Sequence, residues 1–250
     1  MSKAADKIRR GIGEAAVKYR MFAQNDRVLA AVSGGKDSMV MLDALAALRA
    51  RSPIKFELAC AVFDPGFPEF PVDAVQKFAE ARGIECHIVS YDVPALLKEK
   101  SADERPCVLC SRLRRGYLYD LAERLNCNKL ALGQHLDDIA TSLLIGLFRG
   151  QGLTTMGPNI PADERPIRVI RPLALLTEEC IAAAAAELGV DFHERCPYAA
   201  ELATSGDRAR FKRVIAELAA EIPHLRENML RSMSDLRPGY LLDDRFIDFD

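Results

Sequence analysis

The sequence predicts an α/β fold: a doubly wound parallel sheet with an N-terminal helix and a C-terminal helical extension. Three observations lead there. Short apolar runs of strand length alternate with stretches of helix length between residues 27 and 188. The runs are apolar throughout rather than at every second position, which suits strands covered on both faces. A Gly-rich loop, Ser33-Gly34-Gly35-Lys36-Asp37-Ser38, joins the first run to the helix after it. Strands and helices alternating at this spacing form βαβ units and therefore a parallel sheet.

Taken in order, residues 3–22 read as an amphipathic helix with apolar positions at Ile8, Ile12, Ala15, Ala16 and Tyr19. Arg27–Val32 is the first strand, and a helix follows from about Ser38 to Arg49. Phe56–Phe63 is the second strand. Val72–Arg82 is helical and stops at Gly83, a residue that ends helices readily. Glu85–Val89 is the third strand, 111–125 a helix and Lys129–Gly133 the fourth strand. Another helix starts near Asp137. Ile167–Ile170 is the fifth strand, followed by the Ala-rich helix Glu178–Leu188. Residues 98–106 and 149–166 read as loops, the second rich in Gly and Pro and without periodicity; a loop that long in a compact domain usually serves function. From about Gly206 to Leu236 the chain is polar and helical. The expected organisation is an N-terminal helical segment over 1–25, the sheet domain over 26–190 and a helical extension over 191–250.

Composition narrows the class. Charged residues make up 28% and the formal net charge is -2, so bulk charge does not announce a nucleic-acid partner and any basic surface must be local. No apolar run approaches the roughly 18 residues of a membrane span, and the N-terminus lacks an apolar core of signal-peptide type. Seven cysteines without an export signal point to a reducing cytoplasm. There a close cysteine pair is more readily a metal or redox site than a disulfide.

Ligands of such sheets bind outside the carboxyl ends of the strands. Ser33–Ser38, Asp64–Phe70, Ser90–Asp92 and Gly133–Asp138 all follow strand ends and are expected to line one crevice. In the first of these, two glycines let the backbone approach an anion. Amide hydrogens and a helix N-terminus point at it. Ser33 and Ser38 add hydroxyls, and Lys36 adds a charge. The loop is not a Walker A motif, which needs Ser or Thr after Gly-Lys and a further Gly where this chain has Ala30. Asp37 beside a phosphate would be repelled unless a cation bridged them, so Mg²⁺ is expected. The plainer reading, a Gly-Gly turn capping a helix, leaves the order of strand, loop and helix unexplained. SGGKDS resembles the PP-loop of ATP pyrophosphatases. That resemblance implies a sheet of the adenine-nucleotide alpha-hydrolase type, cleavage of ATP to AMP and pyrophosphate, and adenylation of a carbonyl oxygen.

The second motif is Cys107-Val108-Leu109-Cys110, a Cys-X-X-Cys pair at a loop-to-helix junction after Pro106. A helix N-terminus stabilises thiolates and so favours metal ligation, but two thiolates do not complete a tetrahedral site. Cys60, Cys86, Cys127 and Cys180 sit in or beside apolar patterns and read as buried small hydrophobes. Cys196, in the non-periodic His193-Glu194-Arg195-Cys196-Pro197, does not. Three thiolates suit an iron–sulfur cluster with one iron left open. Zinc held by Cys107, Cys110, Cys196 and His193 is the rival, and a metal-free pair is a third reading.

Together, SGGKDS, PCVLCSRLRRGYLY at 106–119, LALGQHLDDIATSLLIGLF at 130–148, VIRPLALLTEE at 169–179 and the tail IPHLRENMLRSMSDLRPGYLLD resemble the tRNA-cytidine 2-sulfurtransferase family, which makes 2-thiocytidine in the anticodon loop. The likeness runs from about residue 5 to about residue 243. It implies a 4Fe-4S cluster on Cys107, Cys110 and Cys196, whose open iron carries the transferred sulfur. It implies ATP contacts at Ala31, Val32, Ser33–Ser38, Gly133 and Asp138. Asp37, Asp137 and Asp138 are then expected to hold Mg²⁺ or orient the base, and Lys36 and Arg114 to offset charge developing on phosphate. The implied partners are tRNA, a sulfur donor such as a cysteine desulfurase, and a second copy of the chain as a homodimer. Two departures stand out: Gln134 occupies a position where the family usually shows His, and Cys196-Pro197-Tyr198-Ala199 keeps only the first cysteine of a second pair.

Arg112 and Arg115 share a helix side beside the cysteine pair, which suits phosphate contact as well as a solvated face. Lys98, Lys100, Arg208, Arg210, Lys212 and Arg213 are candidates to extend that patch. Among rival functions, lysidine formation or amidation of a small molecule has no need of Cys107 and Cys110. Uridine thiolation is the nearest competitor, although many such enzymes carry flanking cysteine pairs absent here. A non-catalytic metal or redox module leaves SGGKDS and the Asp137–Asp138 pair unexplained.

Overall fold

The computed structural model describes residues 3–68, 70–99, 106–189, 196–198 and 204–246. His193, Lys100 and residues 199–203 lie outside the described residues. The sheet comprises β1 (Asp26–Ala31), β2 (Phe56–Asp64), β3 (Glu85–Ser90), β4 (Lys129–Ala131), β5 (Asn159–Pro161) and β6 (Arg168–Ile170) in the order β3-β2-β1-β4-β6-β5. All neighbours pair in parallel except β5 and β6, which are antiparallel. The parallel sheet expected from the sequence therefore carries one antiparallel edge strand. It lies in the stretch read as loop, because three residues are too few to show a period. Pro161 is tolerated there because an edge strand can spare an N–H.

Nine described helices surround the sheet: α1 (Lys3–Lys18), α2 (Lys36–Arg51), α3 (Val72–Glu80), α4 (Val93–Glu99), α5 (Pro106–Arg124), α6 (Leu136–Phe148), α7 (Glu178–Leu188), α8 (Gly206–Glu221) and α9 (Leu225–Ser234). On one face, Ile8 and Ile12 of α1, Met41 and Leu45 of α2, Val75 and Phe78 of α3 and Ile181 of α7 pack in one core. On the other, Leu118, Leu121 and Ala122 of α5 cover Leu29, Leu130 and Val169. Both faces are thus buried, which is why β1 and β4 are apolar at successive positions. The first helix ends at Lys18 rather than 22, and Arg20 adopts a φ of 48° in the turn to β1. The C-terminal helical stretch breaks at Ile222-Pro223-His224, where proline disfavours helix in the residue before it. No described helix is long and apolar enough to cross a membrane.

The chain runs outward from β1 to β3, then returns to β4 on the other side of β1. The carboxyl ends of β1 and β4 therefore flank the point where the winding reverses, the place where such sheets leave a crevice.

Candidate active site

The loop after β1 is shaped to present its amides. Gly34 adopts a φ of +81°, a region costly for residues with a Cβ, and an added Cβ would lie 2.5 Å from Pro71 Cγ. Ser33 N–H donates to Ser38 Oγ at 3.1 Å, and that hydroxyl donates to Gly35 O at 2.9 Å, closing the loop on itself. Gly35 caps α2 with no side-chain hydrogen bond, which leaves the first amides of the helix to an external acceptor. Gly133, just beyond β4, lies against this loop: a Cβ there would meet Ser38 N and Cα at 3.1 Å. Its lack of a side chain is what lets the second segment close on the first.

The acidic residues after Gly133 turn inward. Around His135, which is 2% exposed, stand Asp137 at 3.5 Å, Asp138 at 3.5 Å and Asp37 at 4.0 Å. Burial pushes the His135 pKa down, but the three carboxylates outweigh it and the imidazole is raised above its ordinary value. Cations from distant elements balance the rest. Arg226 of α9 pairs with Asp137, Arg208 of α8 donates to Asp138 at 2.5 Å, and Lys212 reaches Glu178 at 3.2 Å. Lys36 lies 3.0 Å from Glu178 and 3.2 Å from Asp37. Burial lowers the ammonium's pKa, yet Asp37 and Glu178 raise it overall. Asp137 also accepts the Glu178 N–H at 2.7 Å, and Asp138 accepts the His135 N–H at 3.3 Å. Asp37 Oδ1 is buried and has no hydrogen-bond partner.

A cavity of about 630 Å³, large enough for a nucleotide, opens over these strand ends. Ala31, Val32, Ser33, Gly35, Asp37, Ser38 and Gly133 line it, and so do Cys110, Arg114 and Cys196. Phe67 and Phe70 join from the loop after β2, whereas Ser90–Asp92 does not line the cavity. Neither do Lys36, Asp137 and Asp138, whose charges are directed into the ion-pair network beneath the loop. Cys107 and Cys110 occupy the first turn of α5, which begins at Pro106, one turn earlier than the motif suggested. Proline is well suited to that first helical position.

Burial raises the Cys110 thiol pKa, Arg114 opposes this, and the nearby Cys196 thiol adds to the rise. That coupling brings residues 86 positions apart in sequence to one place. Among the described residues no three His, Cys, Asp or Glu side chains are arranged to hold a single metal ion. Three thiols nonetheless gather at this place among the described residues. Cys110 and Cys196 line the cavity and Cys107 sits one helical turn before Cys110, all three partly exposed. Three thiolates suit a 4Fe-4S cluster, which takes thiolates from separate irons; His193, the fourth ligand of the zinc reading, lies outside the described residues.

Sequence reasoning missed His135, Arg226, Glu178 and Arg171 as site residues. Arg208 and Lys212, candidates to extend a phosphate-contacting patch, here brace the acidic cluster. Arg226→Ala tests that bracing. It leaves Asp137, 7% exposed, short of its cation, which should cost about 2 kcal/mol at neutral pH. Burial alone would raise the Asp137 pKa, but His135, the Glu178 amide and Arg226 together hold it well below the usual carboxylate range. A depressed pKa contributes stability above the unfolded value of about 4 and loses it as pH falls below that. Urea unfolding should therefore show a gap between variant and parent at pH 7 that narrows in acid; a gap independent of pH would refute the assignment.

Comparison with known proteins agrees with this geometry. The PP-loop domain family matches residues 4–201. The tRNA-cytidine(32) 2-sulfurtransferase of Syntrophotalea carbinolica is 38% identical over 247 residues, covering 97% of this chain and 94% of that protein. The enzyme of the same name from Geobacter sulfurreducens is 38% identical over 242 residues, covering 95% and 92%. Among solved structures, the U34-tRNA thiolase NcsA from Methanococcus maripaludis, described with its 4Fe-4S cluster, superposes with a TM-score of 0.74 over 94% of this chain and 80% of that one. At 23% identity this last likeness shows the fold alone. An enzyme with a nucleotide-binding loop of PP-loop type, the chain belongs to the tRNA-cytidine 2-sulfurtransferase family.

Proposed function

We propose that this enzyme uses ATP to convert an anticodon-loop cytidine of tRNA to 2-thiocytidine. The observation that carries the reading is that the phosphate loop, Cys110 and Cys196 line the same cavity. The loop amides between Ser33 and Ser38 hold the pyrophosphate portion of ATP, and Gly133 lets the nucleotide lie close to the backbone. The cytidine C2 oxygen attacks the α-phosphorus. The bond to pyrophosphate breaks, and a poor leaving group becomes AMP. Sulfur supplied as sulfide then bonds to C2 as the bond to AMP breaks. A 4Fe-4S cluster held by Cys107, Cys110 and Cys196 would supply an open iron as the site of sulfur delivery. Mg²⁺ would be held by Asp37 and would neutralise the pyrophosphate. Arg114, on the cavity wall beside Cys110, offsets charge on the α-phosphate.

RNA suits this cavity because loop bases are free to be splayed out of a stack. Residues 26–190 serve as the catalytic domain, with 191–250 supplying Cys196 and the cations that brace the acidic cluster. The enzyme works in the cytoplasm, where it receives sulfur from a donor such as a cysteine desulfurase, as a homodimer. Mass spectrometry of tRNA nucleosides from cells lacking the protein tests the reading, with loss of 2-thiocytidine alone as the expected result. Loss of a thiolated uridine with 2-thiocytidine unchanged would reassign the substrate, and no change in any thionucleoside would defeat the proposal.

A further inference from the structure

Gln134 and Arg171 both line the cavity near Gly133, and Arg171 holds the Gln134 side chain. Arg171 is 7% exposed, and among the described residues no carboxylate pairs with it. Its Nε donates to Gln134 Oε1 at 2.5 Å, and its Nη1 donates to Gly157 O. A guanidinium has donors only, so the amide oxygen must face it. The amide nitrogen is thereby turned the other way. No described residue accepts a hydrogen bond from Gln134 Nε2, although the side chain belongs to the cavity wall.

We propose that Gln134 Nε2, held in place by Arg171, is the group that reads cytosine against uracil; this rests on the thiolation reading above. The C2 oxygen has to approach the nucleotide held between the phosphate loop and Gly133. The ring atom beside C2 on the pairing edge is N3, and the residue beside Gly133 is Gln134. Cytosine N3 is an acceptor, whereas uracil N3 carries a hydrogen. A fixed amide donor therefore bonds the first and opposes the second. An amide free to flip would serve either base. Here flipping would set an NH₂ against a buried guanidinium, which costs a charge-assisted hydrogen bond and leaves the cation unpaired. Gln134 is the specificity-determining residue and Arg171 positions it.

The test compares thiolation of two anticodon stem-loop RNAs that differ only in C or U at the target position, with nucleotide binding measured alongside using a non-hydrolysable ATP analogue. The parent protein should strongly favour C. Gln134→Glu keeps the shape and the Arg171 contact but removes the donor, so the C-to-U preference should fall by about 30-fold, the size expected for loss of one buried hydrogen bond. Analogue binding, measured alongside, separates a loss of base discrimination from a loss of nucleotide. Gln134→Ala removes the donor without adding charge and should lower the same ratio if the glutamate variant binds nucleotide poorly. Arg171→Met frees the amide and should erode the preference even where overall turnover survives, an effect that a purely structural role would not produce. An unchanged C-to-U ratio in the Gln134 variants overturns the inference alone. A parent protein that thiolates neither RNA overturns the thiolation reading and this inference with it.

Discussion

Asp37→Ala should lower pyrophosphate release by about three orders of magnitude while leaving stability within about 1 kcal/mol of the parent. The two halves of this expectation come from one feature. Of the three carboxylates around His135, Asp137 is satisfied by Arg226 and the Glu178 amide, and Asp138 by Arg208 and the His135 amide. Asp37 Oδ1 alone among them is buried without a hydrogen bond, its cation being the neighbouring Lys36 at 3.2 Å. Its ion pair with Lys36 is partly exposed and worth little, so removing the carboxylate should not unfold the protein. It sits in the first turn of α2, beside the amides that would take a phosphate, and a bound phosphate would repel it unless a cation lay between. Substitution therefore strikes catalysis and not folding, the reverse of Arg226→Ala. The check is pyrophosphate release across a Mg²⁺ titration, paired with urea unfolding. Turnover within tenfold of the parent at an unchanged Mg²⁺ requirement would remove Asp37 from the site.

The contrast between Asp37 and Arg226 also shows what the chain discloses before it is folded. Ser33–Ser38, Gly133 and the Cys107–Cys110 pair were legible because their chemistry is local: glycines beside hydroxyls, thiols one turn apart. The order of β1 to β4 was legible because burial on both faces leaves unbroken apolar runs. The partners of the acidic residues were not. Arg208 reaches Asp138 across 70 residues and Arg226 reaches Asp137 across 89, from helices that read only as polar. Arg171 was visible in the family-like stretch 169–179, but nothing in that stretch says that its guanidinium turns onto Gln134. His135 sits between Gln134 and the Asp pair, yet no pattern of spacing announces that its ring is enclosed. The edge strand β5 escaped for a plainer reason, since three residues ending in proline look like loop. Local motifs located the cavity; the charge balance that lets it hold so many acids was set by distant contacts.

Replacing Cys107, Cys110 or Cys196 with Ala should abolish thiolation and bleach the iron–sulfur absorbance of anaerobically purified protein, whereas replacing Cys60, Cys86, Cys127 or Cys180 should do neither. The seven thiols sort by where they lie. Cys60 and Cys127 are buried in the two cores, so their loss should cost about 1 kcal/mol of packing. Cys86 lies opposite Cys60 in the neighbouring strand, and Cys180 accepts a hydrogen bond from Thr177 in the first turn of α7; neither lines the cavity. Cys110 and Cys196 do line it. With no metal, burial and the neighbouring thiol both push the Cys110 pKa up, which would make it a sluggish nucleophile. A bound metal reverses that logic, because its charge deprotonates the thiols it binds. Burial that is unhelpful to a redox or nucleophilic thiol is therefore acceptable in a ligand, and Arg114 favours the thiolate further. Since three thiolates must act together, single losses should be as severe as the triple loss rather than additive. Iron and sulfide analysis of each variant checks this. Stoichiometric zinc without iron in the parent protein, or a Cys196→Ala variant that retains both its iron and its thiolation, would overturn it.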